Sequence, residues 1–202
     1  MKIGPKFKIA KRLGAPIFEK TQTQKFALSE ARGGRRGGRR PGQMSDYKRQ
    51  LLEKQKMRYS YGISEKQLRK YVNEAVSKGE QPMNHLVMQL ELRLDNVAYR
   101  LGLAKTRQMA RQIAAHGHLV VNNKRSTIPS QRLKIGDVIK VREGSRSSVL
   151  FENLAETHQP AGVPGWLKFD SKTLTGEVVG LPTYEPSETL FDPEQVLEYY
   201  SR

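Results

Sequence analysis

The sequence predicts an α+β protein with a helical domain assembled from two separated stretches of chain, an inserted domain of two helices and a small antiparallel sheet, and an extended basic N-terminal arm. Three observations carry this reading. Apolar residues recur at helical spacing, with capping signals, from about residue 45 to residue 115, and they follow strand spacing over 118–142 and again over 166–181. Residues 1–44 show neither period.

The arm, residues 1–44, is built around the low-complexity run Gly33-Gly34-Arg35-Arg36-Gly37-Gly38-Arg39-Arg40-Pro41-Gly42. Glycine keeps the backbone free while arginine supplies charge. Arg35, Arg36, Arg39 and Arg40 can each grip a phosphate with two N–H groups or stack on a base, which suits crevices of folded RNA. The plainer reading of such a run is a solvated linker.

The helical domain is expected over residues 45–90. One helix opens near Ser45, carries Leu51 and Leu52 among charged residues and runs toward Gly62. The next starts at a capping box, Ser64-Glu65-Lys66-Gln67, in which the Ser64 hydroxyl accepts the Gln67 amide and the Gln67 side chain returns to Ser64; Ile63 and Leu68 form the matching hydrophobic staple. Leu68, Tyr71, Val72, Ala75 and Val76 give that helix one apolar face, a core stripe, and Gly79 ends it. From Asn84 a further helical stretch carries Leu86, Leu90, Leu94, Val97, Ala98 and Leu101 as a continuous seam up to Gly102.

The inserted domain is expected over residues 91–182. Thr106 caps its second helix, on which Arg107 and Arg111 lie four residues apart and share a face, while Met109 and Ile113 point the opposite way. One side packs; the other offers two guanidinium groups beside the positive end and free amides of a helix, a place for phosphate. An ordinary solvated charged face is the alternative. Gly117 closes the helix, His118-Leu119-Val120-Val121 reads as a strand, and Asn122-Asn123 turns it, because short amide side chains tolerate positive φ. Lys124 and Arg125 stand at the tip. Along residues 138–142, Ile139 and Val141 take one face and Lys140 and Arg142 the other. Residues 143–165 are polar and irregular, and strands resume at 166–169 and 175–181.

Asp192-Pro193-Glu194 opens a last helix, with a capping residue, Pro at the first helical position and an acid near the positive end, over residues 192–202. A helix this short is not stable alone. Its apolar residues, Val196, Leu197, Tyr199 and Tyr200, are expected to return to the first helices and complete their domain.

Charge narrows the function. Lys and Arg number 36 against 20 Asp and Glu, a net charge of +16, and the excess is uneven: 17 basic against 4 acidic residues in 1–60, 15 against 6 in 61–142, and 4 against 10 in the last 60. Such a field over two-thirds of a chain favours a polyanionic partner. The absence of cysteine excludes disulfides, thiolate zinc sites and Cys nucleophiles and fits an intracellular protein. No apolar run approaches the roughly 20 residues that cross a bilayer and the start lacks the apolar core of a secretory signal, so no membrane partner is expected and the start reads as mature protein.

Several segments, in order, resemble the bacterial and plastid ribosomal protein S4 family over essentially the whole chain: Gly4-Pro5-Lys6-Phe7-Lys8, Arg12-Leu13-Gly14, Pro41-Gly42-Gln43, Gln50-Leu51-Leu52-Glu53-Lys54-Gln55-Lys56, Tyr61-Gly62, and above all Arg93-Leu94-Asp95-Asn96-Val97-Ala98-Tyr99-Arg100-Leu101-Gly102, followed by Thr106-Arg107, Ala110-Arg111-Gln112 and His116-Gly117-His118 with Val121-Asn122. The resemblance implies an S4-type RNA-binding domain inserted into a helical domain. It also implies early binding to a junction of 16S-type small-subunit rRNA that nucleates assembly, a place near the channel by which mRNA enters, neighbours of the S3 and S5 type, an influence on decoding accuracy, and residence on ribosomes of bacterial cytoplasm or plastid stroma. Carried over residue by residue, the RNA face comprises Lys105, Thr106, Arg107, Arg111, His116, His118, Asn122, Lys124 and Arg125 with Arg93 nearby, while Asp95 orients a neighbouring arginine. Recognition is expected through shape and phosphate. Many relatives carry a cysteine zinc site near the N-terminus that this chain lacks, and Asn123 stands where the family usually has glycine.

The rival classes are an RNA-modifying enzyme carrying the same small domain and a free assembly factor. The first requires a further catalytic domain, and the sequence holds no GxxxxGK[ST], GxSxG, HExxH or GxGxxG motif. His116 and His118 supply two ligands where a zinc site takes three or four, with His85 and His158 far off in sequence, so no metal and no cofactor are expected. The full-length match and the Arg-Gly arm argue against the second.

Overall fold

The computed structural model describes residues 3–33, 44–151 and 162–202, and these form two compact units, 1–86 with 184–202 and 87–183. Among the described residues no helix is long and apolar enough to cross a membrane.

The first unit is helical from its start. Helix α1 spans Lys6–Leu13 and α2 spans Gln24–Gly33, with a 3₁₀ turn at Glu19–Thr21 between them. The stretch without a sustained period is therefore folded over much of its length. Ala10, Leu13, Ala15, Ile17, Phe18 and Phe26 form a small core, joined by Leu52 and Tyr59 from the next helix, and the Phe7 and Phe26 rings meet edge to face at 5.4 Å. Pro5 and Gly14 are the ends of α1: Pro5 precedes its first turn, and Gly14 at φ 65° donates its N–H to the Ala10 carbonyl. Eight residues are too few for a period to show, and tertiary packing holds the helix.

Helix α3, Asp46–Ser60, is capped by Ser45, whose hydroxyl accepts the Lys48 amide, and α4, Glu65–Ser77, by Ser64, which accepts the Gln67 amide at 3.3 Å. Only half of the expected capping box forms, because the Gln67 side chain donates forward to the Tyr71 hydroxyl at 3.3 Å. Leu68, Tyr71, Val72 and Ala75 are buried as the stripe requires, but Val76 lies outside it at 57% exposed. Helix α9, Pro193–Ser201, packs on α3, opening where the Asp192 carboxylate accepts the Glu194 amide. Its polar anchors are specific: Gln50 donates to Glu198 at 2.8 Å, the Asp192 amide to Glu53 at 3.0 Å, and the Tyr200 hydroxyl to Glu65 at 2.7 Å.

Glu65 also receives Lys54 at 2.9 Å and Arg58 at 3.4 Å, and the Lys54 ammonium sits 4.3 Å from the Tyr199 ring centre. Burial alone would raise the Glu65 carboxyl, but the hydrogen bonds from Tyr200 and Lys54 and the charges of Lys54 and Arg58 hold it below its ordinary value. Because the folded-state value is the lower one, the carboxylate contributes its stability above the unfolded pKa and loses it as pH falls through the folded value. Urea denaturation of Glu65→Gln should therefore show a deficit against wild type near neutral pH that closes in acid; a deficit independent of pH would assign the loss to packing.

Helix α5 spans Pro82–Glu91, beginning in the first unit and ending in the second, and α6 spans Leu94–Arg100, so the seam expected from Asn84 to Leu101 is broken at Leu92 and Arg93. The break is made by a distant segment. Leu133 donates its amide to Leu92, Leu94 donates to Gln131 and Asp95 to Pro129, at 2.8 to 3.0 Å, and Arg93 forms a β-bridge with Arg132. These bonds occupy the first amides of α6, which otherwise have no partner within the helix. Helix α7, Arg107–Ala115, follows Gly102 at φ 75° and the Thr106 cap.

The sheet contains β1 Leu119–Val121, β2 Lys124–Ser126, β3 Val138–Val141, β4 Leu167–Asp170 and β5 Thr175–Val178, antiparallel in the order β2-β1-β3-β5-β4. Asn122 at φ 48° and Asn123 at φ 64° make the two-residue hairpin turn, with Val121 opposite Lys124. Leu119, Val121, Ile139, Val141 and Val178 close on α6 and α7 around one core. A short helix, α8 at Glu143–Arg146, follows β3.

Candidate nucleic-acid interface

The polar residues of α6 aim those of α7. Asp95 binds Arg93 through both oxygens, at 2.9 and 2.6 Å, and one of those oxygens lies 4.0 Å from Arg111. Glu91 holds Asn96 at 2.8 Å and Arg100 at 2.9 and 3.1 Å, and the Asn96 carbonyl in turn accepts Arg107 Nε at 2.8 Å. The Arg107 guanidinium lies over Tyr99, 4.4 Å from the ring centre. Arg107 and Arg111 thus share a half-buried face, as their spacing requires, and each is oriented from the helix before it. Such pre-ordering reduces the side-chain entropy lost when a phosphate is bound.

Three expected contacts have structural tasks. Arg93 is 0% exposed and its guanidinium is taken by Asp95, so it supports α6 from within and presents nothing to a partner. Asn122 uses both ends of its amide, donating to Asp137 at 2.8 Å and accepting the Val138 amide at 2.9 Å, which pins the hairpin to the start of β3. Thr106 caps α7 through its hydroxyl, accepting the Met109 amide at 3.1 Å.

The remaining residues are available on the surface. Lys105, His116, Lys124 and Arg125 are exposed. Arg125 also reaches across to the end of α7, donating to the His116 and Gly117 carbonyls at 3.2 and 3.3 Å, and a Cβ on Gly117 would collide with the Arg125 guanidinium. Gly117 is doubly constrained because its φ is 72°. Gly117→Ala should cost at least about 1 kcal/mol in denaturant titrations and displace Arg125; a smaller cost would mean that the backbone relaxes freely.

His118 shares a hydrogen bond of 3.0 Å between Nδ1 and the Ser145 hydroxyl, and its ring lies 6.1 Å from those of His116 and Phe151. Burial, then the positive fields of His116, Arg142 and Arg125, hold its pKa below the ordinary value. Among the described residues no three His, Asp or Glu side chains are placed to hold a metal ion. Sequence reasoning passed over the groove beside the hairpin, where Lys124, Arg125, Arg132 and Lys134 gather with Thr127 and Asp137. Arg132 and Lys134 sit in a loop with no period to mark them; only the final fold brings them beside β2. Arg35, Arg36, Arg39 and Arg40 lie outside the described residues.

Comparison with known proteins agrees with this layout. The profile of the Ribosomal protein S4/S9 N-terminal domain matches residues 1–91 and that of the S4 domain residues 92–139, meeting at the break between α5 and α6. The small ribosomal subunit protein uS4 of Roseiflexus castenholzii is 43% identical over 99% of this chain and 98% of that protein. The uS4 proteins of Persephonella marina and Chloroflexus aurantiacus are each 41% identical, over 98% and 99% of this chain and 98% of their own lengths. With both profiles in sequence and relatives matched from end to end, the chain belongs to the uS4 family of small ribosomal subunit proteins.

Proposed function

We propose that this protein is a structural constituent of the small ribosomal subunit that binds 16S-type rRNA early and nucleates assembly of the subunit body. The carrying observation is the pre-ordered pair Arg107 and Arg111, set on one face of α7 by Asn96, Tyr99 and Asp95 and flanked by Lys105, Lys124 and Arg125. Cations fixed by a rigid scaffold suit the phosphate geometry of folded RNA, which is read by shape. The Arg-Gly run extends the same chemistry toward RNA, mRNA near its channel of entrance included, and the acidic end of the chain is suited to neighbouring proteins of the S3 and S5 type. Through those neighbours the protein contributes to translational accuracy. Its place is the ribosome, in bacterial cytoplasm or plastid stroma.

Sedimentation of the tagged protein from a cell lysate on a sucrose gradient tests the reading. Co-migration with mature small subunits and polysomes is expected. Confinement to light fractions or immature particles would point to a modifying enzyme or an assembly factor and overturn it.

A further inference from the structure

The sheet of the second unit turns one face to its core and the other outward, and the outward face is basic over part of its width. The register sets Arg125, Val120, Lys140 and Thr175 in one row across β2, β1, β3 and β5. In the adjoining row Arg142 stands beside His118, its amide bonded to the His118 carbonyl at 2.8 Å. Arg146 comes over from α8 and donates to the Thr173 carbonyl at 3.0 Å, which fixes the direction of its guanidinium. Together Lys140, Arg142, Arg146, Thr173 and Thr175 line a shallow concavity, with one carboxylate, Glu143, among the lining residues. None of Lys140, Arg142 and Arg146 forms an ion pair among the described residues. Further across, the charge becomes mixed: on the outward positions Glu177 of β5 stands opposite Lys168 of β4, and Asp170 ends β4.

We propose that Lys140, Arg142 and Arg146 form a second phosphate-binding surface, on which an RNA backbone runs over β1 and β3 and stops short of β4 and β5. This rests on the RNA-binding reading above and adds to it a surface on the sheet, apart from α7. The chemistry is that of a backbone: the concavity is shallow and has no aromatic lining on which a base could stack. Arg125 and Lys140 are two strands apart, roughly 10 Å, so they serve separate phosphates.

The test uses the full chain and small-subunit rRNA transcribed in vitro, with affinity measured across a salt series. The triple variant K140Q/R142Q/R146Q and the single variant R142Q are compared with wild type, with R107Q/R111Q and with E177Q, the fold of each being checked by circular dichroism. Each lost phosphate contact flattens the dependence of log affinity on log salt by about 0.9. The proposal expects the triple variant to be shallower by at least that amount, R142Q to move the same way, and E177Q to be no shallower than wild type. A wild-type slope in the triple variant, with R107Q/R111Q flattened, would overturn the second surface and leave the main reading standing. If wild type itself showed no salt-dependent binding to this RNA, both would fail.

Discussion

Replacing Asp95 with Ala is expected to destabilise the second unit by about 3–5 kcal/mol, the cost of leaving a buried charge without its counter-charge. Arg93 is 0% exposed and Asp95 4%, and two hydrogen bonds of 2.9 and 2.6 Å join them. Removing the carboxylate strands the guanidinium in a medium that cannot solvate it, and takes from Arg111 the anion that lies 4.0 Å away. The single tryptophan, Trp166, packs against the core of this unit, so its fluorescence in a denaturant titration follows the right transition. An exposed pair sets the scale: Lys70 and Glu74 are 3.8 Å apart with the lysine side chain 72% exposed, and Lys70→Ala should cost no more than about 0.5 kcal/mol. The double replacement Arg93→Met with Asp95→Leu should recover most of what Asp95→Ala loses, because an apolar pair of similar volume removes the stranded charge. If Asp95→Ala cost no more than Lys70→Ala, the pair would have no part in holding α6.

Arg93 also marks where sequence reasoning stops. Its neighbours in the motif pointed to an interface residue, yet whether an arginine faces solvent or core at a helix start depends on what crosses it, and here that is the loop near Arg132. The same loop splits the seam between α5 and α6, and nothing within residues 84–101 announces a break supplied from so far along the chain. Local signals fared better. Spacing was enough to put Arg107 and Arg111 on one face, two adjacent Asn residues to set the hairpin, and alternation to bury Ile139 and Val141. Capping chemistry located the starts of α3, α4, α7 and α9. It failed at α1, an eight-residue helix within the stretch where no period was found, although Pro5 and Gly14 delimit it. The limit of legibility is thus the range of the interaction: i to i+4 contacts can be read from the chain, whereas Asn96 against Arg107, or Asn122 against Asp137, emerges only with the fold.

That distinction between carrying a charge and aiming it can be measured at α7. Neutralising both arginines, as R107Q/R111Q, is expected to weaken binding to small-subunit rRNA about a hundredfold, at about 1.5 kcal/mol for each charge-assisted contact, and to flatten the salt dependence by about 0.9 per residue. Asn96→Ala leaves every cation in place but removes the carbonyl that holds Arg107 Nε at 2.8 Å. It should therefore lower affinity several-fold while the salt slope stays at the wild-type value, since the same number of phosphates is still neutralised. Arg107→Lys gives the complementary case: the charge stays, but the planar group that lies on Tyr99 and fits a phosphate with two N–H groups is lost. Its affinity should fall toward that of Arg107→Gln while its slope remains steeper. No loss of affinity in Asn96→Ala would mean that Arg107 adds to the general positive field and makes no directed contact, and equal slopes for Arg107→Lys and Arg107→Gln that its charge meets no phosphate; in either case the interface would have to centre on Lys105, Lys124 and Arg125.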